Sequence, residues 1–212
     1  MNIVPESQRF RRQRILQATR LQIATGGYAT LTMRDLAASA GVATTTLYNI
    51  YGGKDEVVVA ALEDVMSDLA RRHEALQLRG LDAFIAYREM MGVQIVSTPQ
   101  YAEAMTKVLF AAQPSDPIVQ LLLDVGLKRT RRMLTEMADD GDLEEQVDIA
   151  LLTRTVAGGN WSTLLLWMKG FLALHDLEAE FVEGGLMMVR AAVKSDSAAA
   201  RQIDARLEQV RH

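Results

Sequence analysis

Residues 32–54, TMRDLAASAGVATTTLYNIYGGK, decide how this chain is read. Thr32 is a good N-cap: its hydroxyl accepts from a free amide of the first helical turn, and Asp35 suits the positive end of that helix. Met33, Leu36, Ala37 and Ala40 follow as an apolar stripe of about two turns. Gly41 stands where a helix ends in a left-handed residue, and Val42 plugs the corner. A second short helix starts at Ala43 or Thr44. Its spacing turns Leu47 and, one turn on, Ile50 or Tyr51 inward. Thr44, Thr45, Thr46, Tyr48 and Asn49 then face outward.

Two short helices around a tight glycine turn are a way of setting a helix in the major groove of DNA. The outward set lacks acids and suits that surface. Thr donates to phosphate or touches a thymine methyl, Asn bonds bidentately to adenine, and Tyr reaches a phosphate oxygen. Lys54 follows Gly52 and Gly53 near the start of the next helix, where an ammonium and a helix N-terminus together clamp a phosphate. The candidate DNA-binding residues are Thr32, Arg34, Thr44, Thr45, Thr46, Tyr48, Asn49, Tyr51 and Lys54.

Charge points the same way. Up to Lys54 the bases are Arg9, Arg11, Arg12, Arg14, Arg20, Arg34 and Lys54, against Glu6 and Asp35 alone. The whole chain carries 23 basic and 27 acidic residues, so everything after Lys54 is acidic on balance. A basic head on an acidic body fits a DNA-reading part joined to one that stays off DNA, and the overall charge of −4 argues against generic coating of nucleic acid.

Ile15-Leu16, Ala18, Gly27-Tyr28, Thr32, Leu36-Ala37, Gly41-Val42, Thr46-Leu47-Tyr48, Tyr51 and Lys54 stand in an order and spacing that resembles the TetR family of bacterial repressors. The resemblance covers about a quarter of the chain. It implies a first helix closed near Gly27-Tyr28 and a helix from about Thr44 to Ile50 that reads the major groove. It also implies a body that binds a small molecule and pairs its final two long helices with those of a second subunit. Thr19 and Gln22 depart from the pattern, standing where apolar residues are common. Ala43 stands where a Ser often caps, so Thr44 is expected to cap instead, and Asn49-Ile50 bears on base preference.

The expected fold is all-α: an N-terminal three-helix helix-turn-helix DNA-binding domain over residues 1–53, then a helical ligand-binding and dimerisation domain over residues 54–212, with helix 54–73 connecting. Composition agrees, being rich in aliphatics, Ala and Met with four Pro and 6% aromatics. Val58, Ala61, Leu62, Val65 and Leu69 give helix 54–73 one apolar face. A break near Gly80 precedes helices expected over 81–97, 99–112, 117–137, 144–174, 177–193 and 198–210, the last being amphipathic or frayed. Pro99 and Pro117 fall where a first turn accepts Pro.

Two apolar stripes on the helix near Phe181 argue for a homodimer. One is Phe181, Gly184, Gly185, Met188, Ala191 and Ala192; the other is Val182, Leu186, Val189 and Val193. A chain's own core usually covers one such face. The candidate dimer residues are Gly158, Ser162, Phe181, Gly184, Gly185, Met188 and Ala192, the glycines allowing close helix approach. Two heads across a dyad would read a palindromic operator, half-sites lying about one helical turn or slightly more apart.

Phe84, Tyr87, Met91, Met105, Leu109, Leu122, Val125, Trp161 and Leu165 are the candidate wall for a small hydrophobic effector, since Met and aromatic groups adapt to apolar ligands. The same stripes also read as ordinary core. Asn160 and Thr163, beside Trp161, are either ligand anchors or satisfied groups at a helix crossing.

Other chemistry is excluded. The absence of Cys removes disulfides, thiolate catalysis and Cys-type metal sites. No nucleophile–base pair, metal spacing or phosphate loop stands in the chain, so no catalytic residue, metal ligand or cofactor is expected. Asp139-Asp140-Gly141-Asp142 lacks the Glu that a calcium loop requires. His73 is expected to be solvated, His175 to sit near a helix C-terminus, and Lys128-Arg129-Arg131-Arg132 to form a solvated face. Residues 1–14 hold no apolar signal core, and 156–174 is interrupted by polar groups, so no membrane association and a cytoplasmic location are expected.

Overall fold

The computed structural model describes residues 6–113 and 115–209. Helices follow one another throughout: α1 (Glu6–Gly26), α2 (Met33–Ala40), α3 (Thr44–Tyr51), α4 (Lys54–Ala75), α5 (Gly80–Ser97), α6 (Pro99–Ala111), α7 (Pro117–Asp139), α8 (Ile149–Met168), α9 (Leu177–Arg190) and α10 (Ala198–Glu208). Among the described residues the extended pairing is one isolated bridge, Leu143 with Val193. The chain is all-α, as its composition and periodicity implied.

Two compact units divide it. The first holds the chain up to Asp68 together with Thr98–Leu122; the second holds Leu69–Ser97 and the chain from Leu123 onward. In the first, Ile15, Leu36, Leu47, Val57 and Val58 form a buried core that also takes in Tyr101, Met105 and Ile118. Tyr101 and Met105, one turn apart on α6, are both almost fully buried, and α6 packs along α1. Met105 is therefore part of the first unit's core. Leu122 likewise packs against the first unit's core. A stripe at helical spacing says that a face is covered, never by what.

The second unit centres on Phe84, Leu134, Met137, Leu186, Val189 and Ile203, all shielded from water. Each such side chain contributes about 1.5–3 kcal/mol through burial. Helix α9 sits at the middle, with α5, α8 and α10 packed on it. Most of both apolar stripes is thus used within one chain, while Gly184 and Ala191 stay outside that packing. Glycine lets α5 come close: a Cβ on Gly92 would lie 2.8 Å from the Cα of Glu178.

Several boundaries move for identifiable reasons. Helix α8 begins at Ile149 rather than 144, because the Asp148 carboxylate caps it by accepting from the amides of Ala150 (2.8 Å) and Leu151 (3.0 Å). The preceding residues are tied to the end of α9 instead: the Glu144 amide donates to the Ala192 carbonyl (3.0 Å) and the Lys194 amide to that of Asp142 (2.9 Å). The same helix stops at Met168, ahead of the left-handed Gly170 (φ 76°). His175 then lies in a short 3-10 turn leading into α9, its side chain 83% exposed. His73 is buried, not solvated. Helix α10 is capped by Ser197, whose Oγ accepts from the Ala200 amide (3.0 Å), and it buries Ala199, Ala200 and Ile203.

Candidate functional site

The head is built around two helix starts. Thr32 Oγ1 accepts from the Asp35 amide (3.1 Å) and donates to the Asp35 carboxylate (2.7 Å), closing the first turn of α2. Gly41 is left-handed (φ 64°, ψ 42°), and its amide and that of Val42 return to carbonyls at the end of α2. Helix α3 follows with Ala43 as its N-cap residue and no side-chain cap. Thr44 is the first helical residue and does not cap. The Thr46 amide turns back to the Ala43 carbonyl (2.9 Å), while no side chain caps the start of α3, leaving it open to a phosphate oxygen.

The faces of α3 follow from the helical turn. Leu47 is fully buried, Thr45, Tyr48, Asn49 and Ile50 are exposed, and Thr44 and Thr46 are half-buried. Tyr51 shares the inward face of Leu47, four residues on, and packs against Leu16, Ala60 and Ala61. Its hydroxyl is buried with no partner among the described residues, and burial raises its pKa. Tyr51 therefore braces α3 from behind and does not belong to the outward set, whereas Ile50 does.

Lys54 is the first residue of α4. Its ammonium lies 4.4 Å from the centroid of the Tyr28 ring and 3.4 Å from the Ala29 carbonyl oxygen. The Tyr28 hydroxyl donates to the Asp55 carboxylate, and burial together with that contact holds the phenol protonated. A π-face and a carbonyl thus restrain a side chain that would otherwise sample many rotamers. The sequence places Tyr28 only within the family pattern, because its meeting with Lys54 spans 26 residues of chain. Arg34 is 88% exposed at the start of α2, 3.7 Å from Asp35. The two residues that depart from the family pattern are both satisfied: Thr19 donates to the Ile15 carbonyl (2.8 Å), and Gln22 Nε2 donates to Ser39 Oγ (2.5 Å), bracing α1 on α2.

The candidate effector residues divide between the two units. Phe84 and Tyr87 are core of the second unit with Met91 packed against them, while Met105 and Leu122 belong to the first. Leu109 and Trp161 are half-buried, and Leu165 is exposed. Val125 lines a cleft of about 790 Å³ in the second unit, but its companions there are largely charged. On α8, Thr163 is satisfied by the Gly159 carbonyl (3.1 Å), whereas Asn160 Oδ1 is buried with no partner among the described residues. A buried carbonyl oxygen without a donor invites one.

The candidate dimer residues separate cleanly. Phe181, Gly185 and Ala192 are buried within the chain's own core, since α5, α8 and α10 cover that arc of α9. Met188 is half-buried, its methyl filling the space over Gly159. Gly158 and Ser162 are exposed, and nothing lies within 4 Å of a Cβ built on Gly158 or Gly184. The outward stripe instead joins Leu151, Gly158, Ser162, Leu165 and Leu166 of α8 to Gly184, Met187 and Ala191 of α9. Met187 is 65% exposed, which is unusual for a side chain so apolar. Among the described residues, no cluster of His, Cys, Asp or Glu is placed to hold a metal ion, and no helix is long and apolar enough to cross a membrane.

Residues 15–61 match the model of the family described as bacterial regulatory proteins, tetR family. Over 170 residues the chain is 31% identical to the HTH-type transcriptional repressor KstR of Mycobacterium tuberculosis, covering 77% of this chain and 73% of the relative. The fold resembles that of SmeT, the repressor of the Stenotrophomonas maltophilia multidrug efflux pump SmeDEF. That match has a TM-score of 0.71 and 21% identity over 87% of this chain and 91% of the other. It also resembles the transcriptional regulator FadR from Bacillus subtilis, solved in complex with stearoyl-CoA, with a TM-score of 0.69 and 19% identity over 81% and 95% of the two chains.

Proposed function

The chain belongs to the tetR family of bacterial regulatory proteins, DNA-binding transcription regulators and not enzymes, and we propose that it is a dimeric repressor released from a palindromic operator by a small hydrophobic effector. The observation that carries the DNA reading is the outward face of α3, which offers Thr45, Tyr48 and Asn49 to solvent with no acid among them, beside a restrained Lys54. In this reading residues 1–53 read the duplex, with Thr44, Thr45, Thr46, Tyr48 and Asn49 at the groove and Thr32, Arg34 and Lys54 on phosphates. Residues 54–212 pair the subunits and receive the effector, helix 54–73 joining the two functions.

The exposed apolar stripe across α8 and α9 supports pairing, because a monomer would leave Leu166, Met187 and their neighbours in water. For the effector, the unsatisfied Asn160 Oδ1 favours a largely apolar molecule carrying one hydrogen-bond donor. FadR of the same fold holds stearoyl-CoA, so this architecture accommodates an apolar chain. The effector releases DNA to the extent that it binds better to a dimer with altered head separation. The protein works inside the cytoplasm, where its operator is.

Fluorescence anisotropy with palindromic duplexes drawn from the region upstream of its own gene tests the reading. Nanomolar, sequence-selective capture at moderate salt is expected. Binding that is equal for scrambled duplexes and that vanishes at moderate salt would sink it.

A further inference from the structure

We propose that the cleft bounded by the end of α4, the start of α5 and the outer face of α7 is a binding site for a small polyanion, either an oligophosphate group or a tricarboxylate. The site lies wholly in the second unit and does not depend on the operator reading.

Four cations line this cleft of about 790 Å³, Arg79, Lys128, Arg129 and Arg132, against two carboxylates, Glu74 and Glu136. That excess stands out in a body whose charge is otherwise acidic. A half-enclosed cleft with an excess of one sign of charge concentrates counter-ions of the other. Asp140 and Asp124, outside the lining, pair with Arg79 and Lys128, so an anion must carry two or more charges to draw these cations away from them.

Arg129 is the built element. Its guanidinium lies 5.2 Å from the centroid of the Tyr87 ring, and its side chain is only 17% exposed. His73, itself 8% exposed, has Nε2 2.8 Å from the Ala83 carbonyl and therefore donates there. That leaves Nδ1 as an acceptor, 3.5 Å from Arg129 Nη1. The carboxylate beside Arg129, that of Glu74, stands 3.7 Å away, beyond the length of a good charged hydrogen bond. The guanidinium is thus stiffly held yet weakly neutralised, the condition in which planar bidentate recognition of an oxyanion is effective.

The other three cations rest in exposed pairs: Arg79 with Asp140 (3.2 Å), Lys128 with Asp124 (2.6 Å) and Arg132 with Glu136 (3.0 Å). Their side chains are 66–75% exposed, and such pairs contribute little in water, so a more highly charged anion displaces the carboxylates at small cost. The sequence suggested only a solvated basic face here, because Arg79, His73 and Tyr87 meet α7 across more than forty residues of chain.

The test uses the full chain, with pyrophosphate and citrate as probes in titration calorimetry and thermal shift. Wild type is expected to bind at least one of them saturably, and Lys54→Ala to bind it equally well. The exposed pair Lys128→Ala/Arg132→Ala should bind at least tenfold more weakly with an unchanged melting temperature in the absence of probe, and Arg129→Gln should show no saturable binding. Pyrophosphate binding tighter than citrate assigns the site to phosphates; the reverse order assigns it to tricarboxylates. Saturable binding of neither probe overturns the proposal, and so does binding that is lost in Lys54→Ala but kept in the Lys128→Ala/Arg132→Ala pair.

Discussion

Gly185 lies bare against the guanidinium of Arg88: a Cβ at position 185 would sit 2.1 Å from Arg88 Nε and 2.2 Å from Cζ. Arg88, 5% exposed, donates from Nε to the Phe181 carbonyl and rests 5.1 Å from the Phe84 ring centroid. No carboxylate among the described residues pairs with it, and burial pushes its pKa down to about 10. A cation of α5 is thus seated on α9 in space that the glycine leaves. Spacing alone offers this glycine to a second subunit; in the fold it faces the chain's own α5.

Gly185→Ala is expected to destabilise the protein by about 1–3 kcal/mol, because Arg88 is pinned at both ends and cannot swing clear. Gly184→Ala, one residue away, meets open space and gains helix propensity of roughly 0.5–1 kcal/mol in a dilute, dissociated sample. Chemical denaturation of the two variants should therefore move in opposite directions. Equal effects would remove the distinction between an inner and an outer glycine.

On the candidate DNA face, Lys54→Gln should weaken binding to all duplexes alike and reduce the slope of log affinity against log salt by about one. Asn49→Ala should instead cost about 1–3 kcal/mol on the preferred operator and relax selectivity at one base pair. Anisotropy titrations across a salt series separate the two. An unchanged salt slope for Lys54→Gln would remove Lys54 from the phosphate contacts.

For the outward stripe, Leu166→Glu combined with Met187→Glu should yield a folded monomer, because both side chains are exposed in the single chain and neither supports its core. Sedimentation velocity at micromolar concentration, paired with circular dichroism, reads the change. A dimer that survives both charges would place the twofold contact elsewhere.

The pH dependence of stability has a contributor in Glu136. Burial pulls its carboxyl upward, yet the hydrogen bonds from Arg132 and from the Gly80 amide (3.3 Å) outweigh that, and its pKa is lowered. A carboxyl lowered by folding adds stability that is complete above its unfolded value of about 4.3 and is lost as pH falls through the folded value. Glu136→Gln should therefore lower the melting temperature modestly at pH 7 and flatten its fall below about pH 4.5, the two proteins converging in acid. A parallel acid profile for wild type and variant would show that Glu136 does not contribute.

Local order was legible in the chain wherever neighbours in sequence decide it. The Thr32 cap, the left-handed Gly41, the buried Leu47 and the exposed Tyr48 and Asn49 all follow from one or two turns of helix, and each stands where its spacing put it. Tyr51 was harder, since one position of drift on a short helix turns a side chain from the groove to the core. The helix expected from residue 144 begins at Ile149, because Asp148 caps it there and backbone pairing ties Leu143 to Val193.

The amino-acid order alone therefore determined an all-helical chain with a basic helix-turn-helix head, since propensity, capping and 3.6-residue periodicity act over a few neighbours. Which helix covers which face was decided only in three dimensions. Met105 joined the head's core, α9 was covered by α5, α8 and α10 except along the arc of Gly184, Met187 and Ala191, and Arg129 met His73 and Tyr87 to make a charged cleft. Burial is non-directional and rewards any apolar partner, so a stripe of Leu, Val and Met states that it will be covered but not by what. Long-range packing supplies that answer.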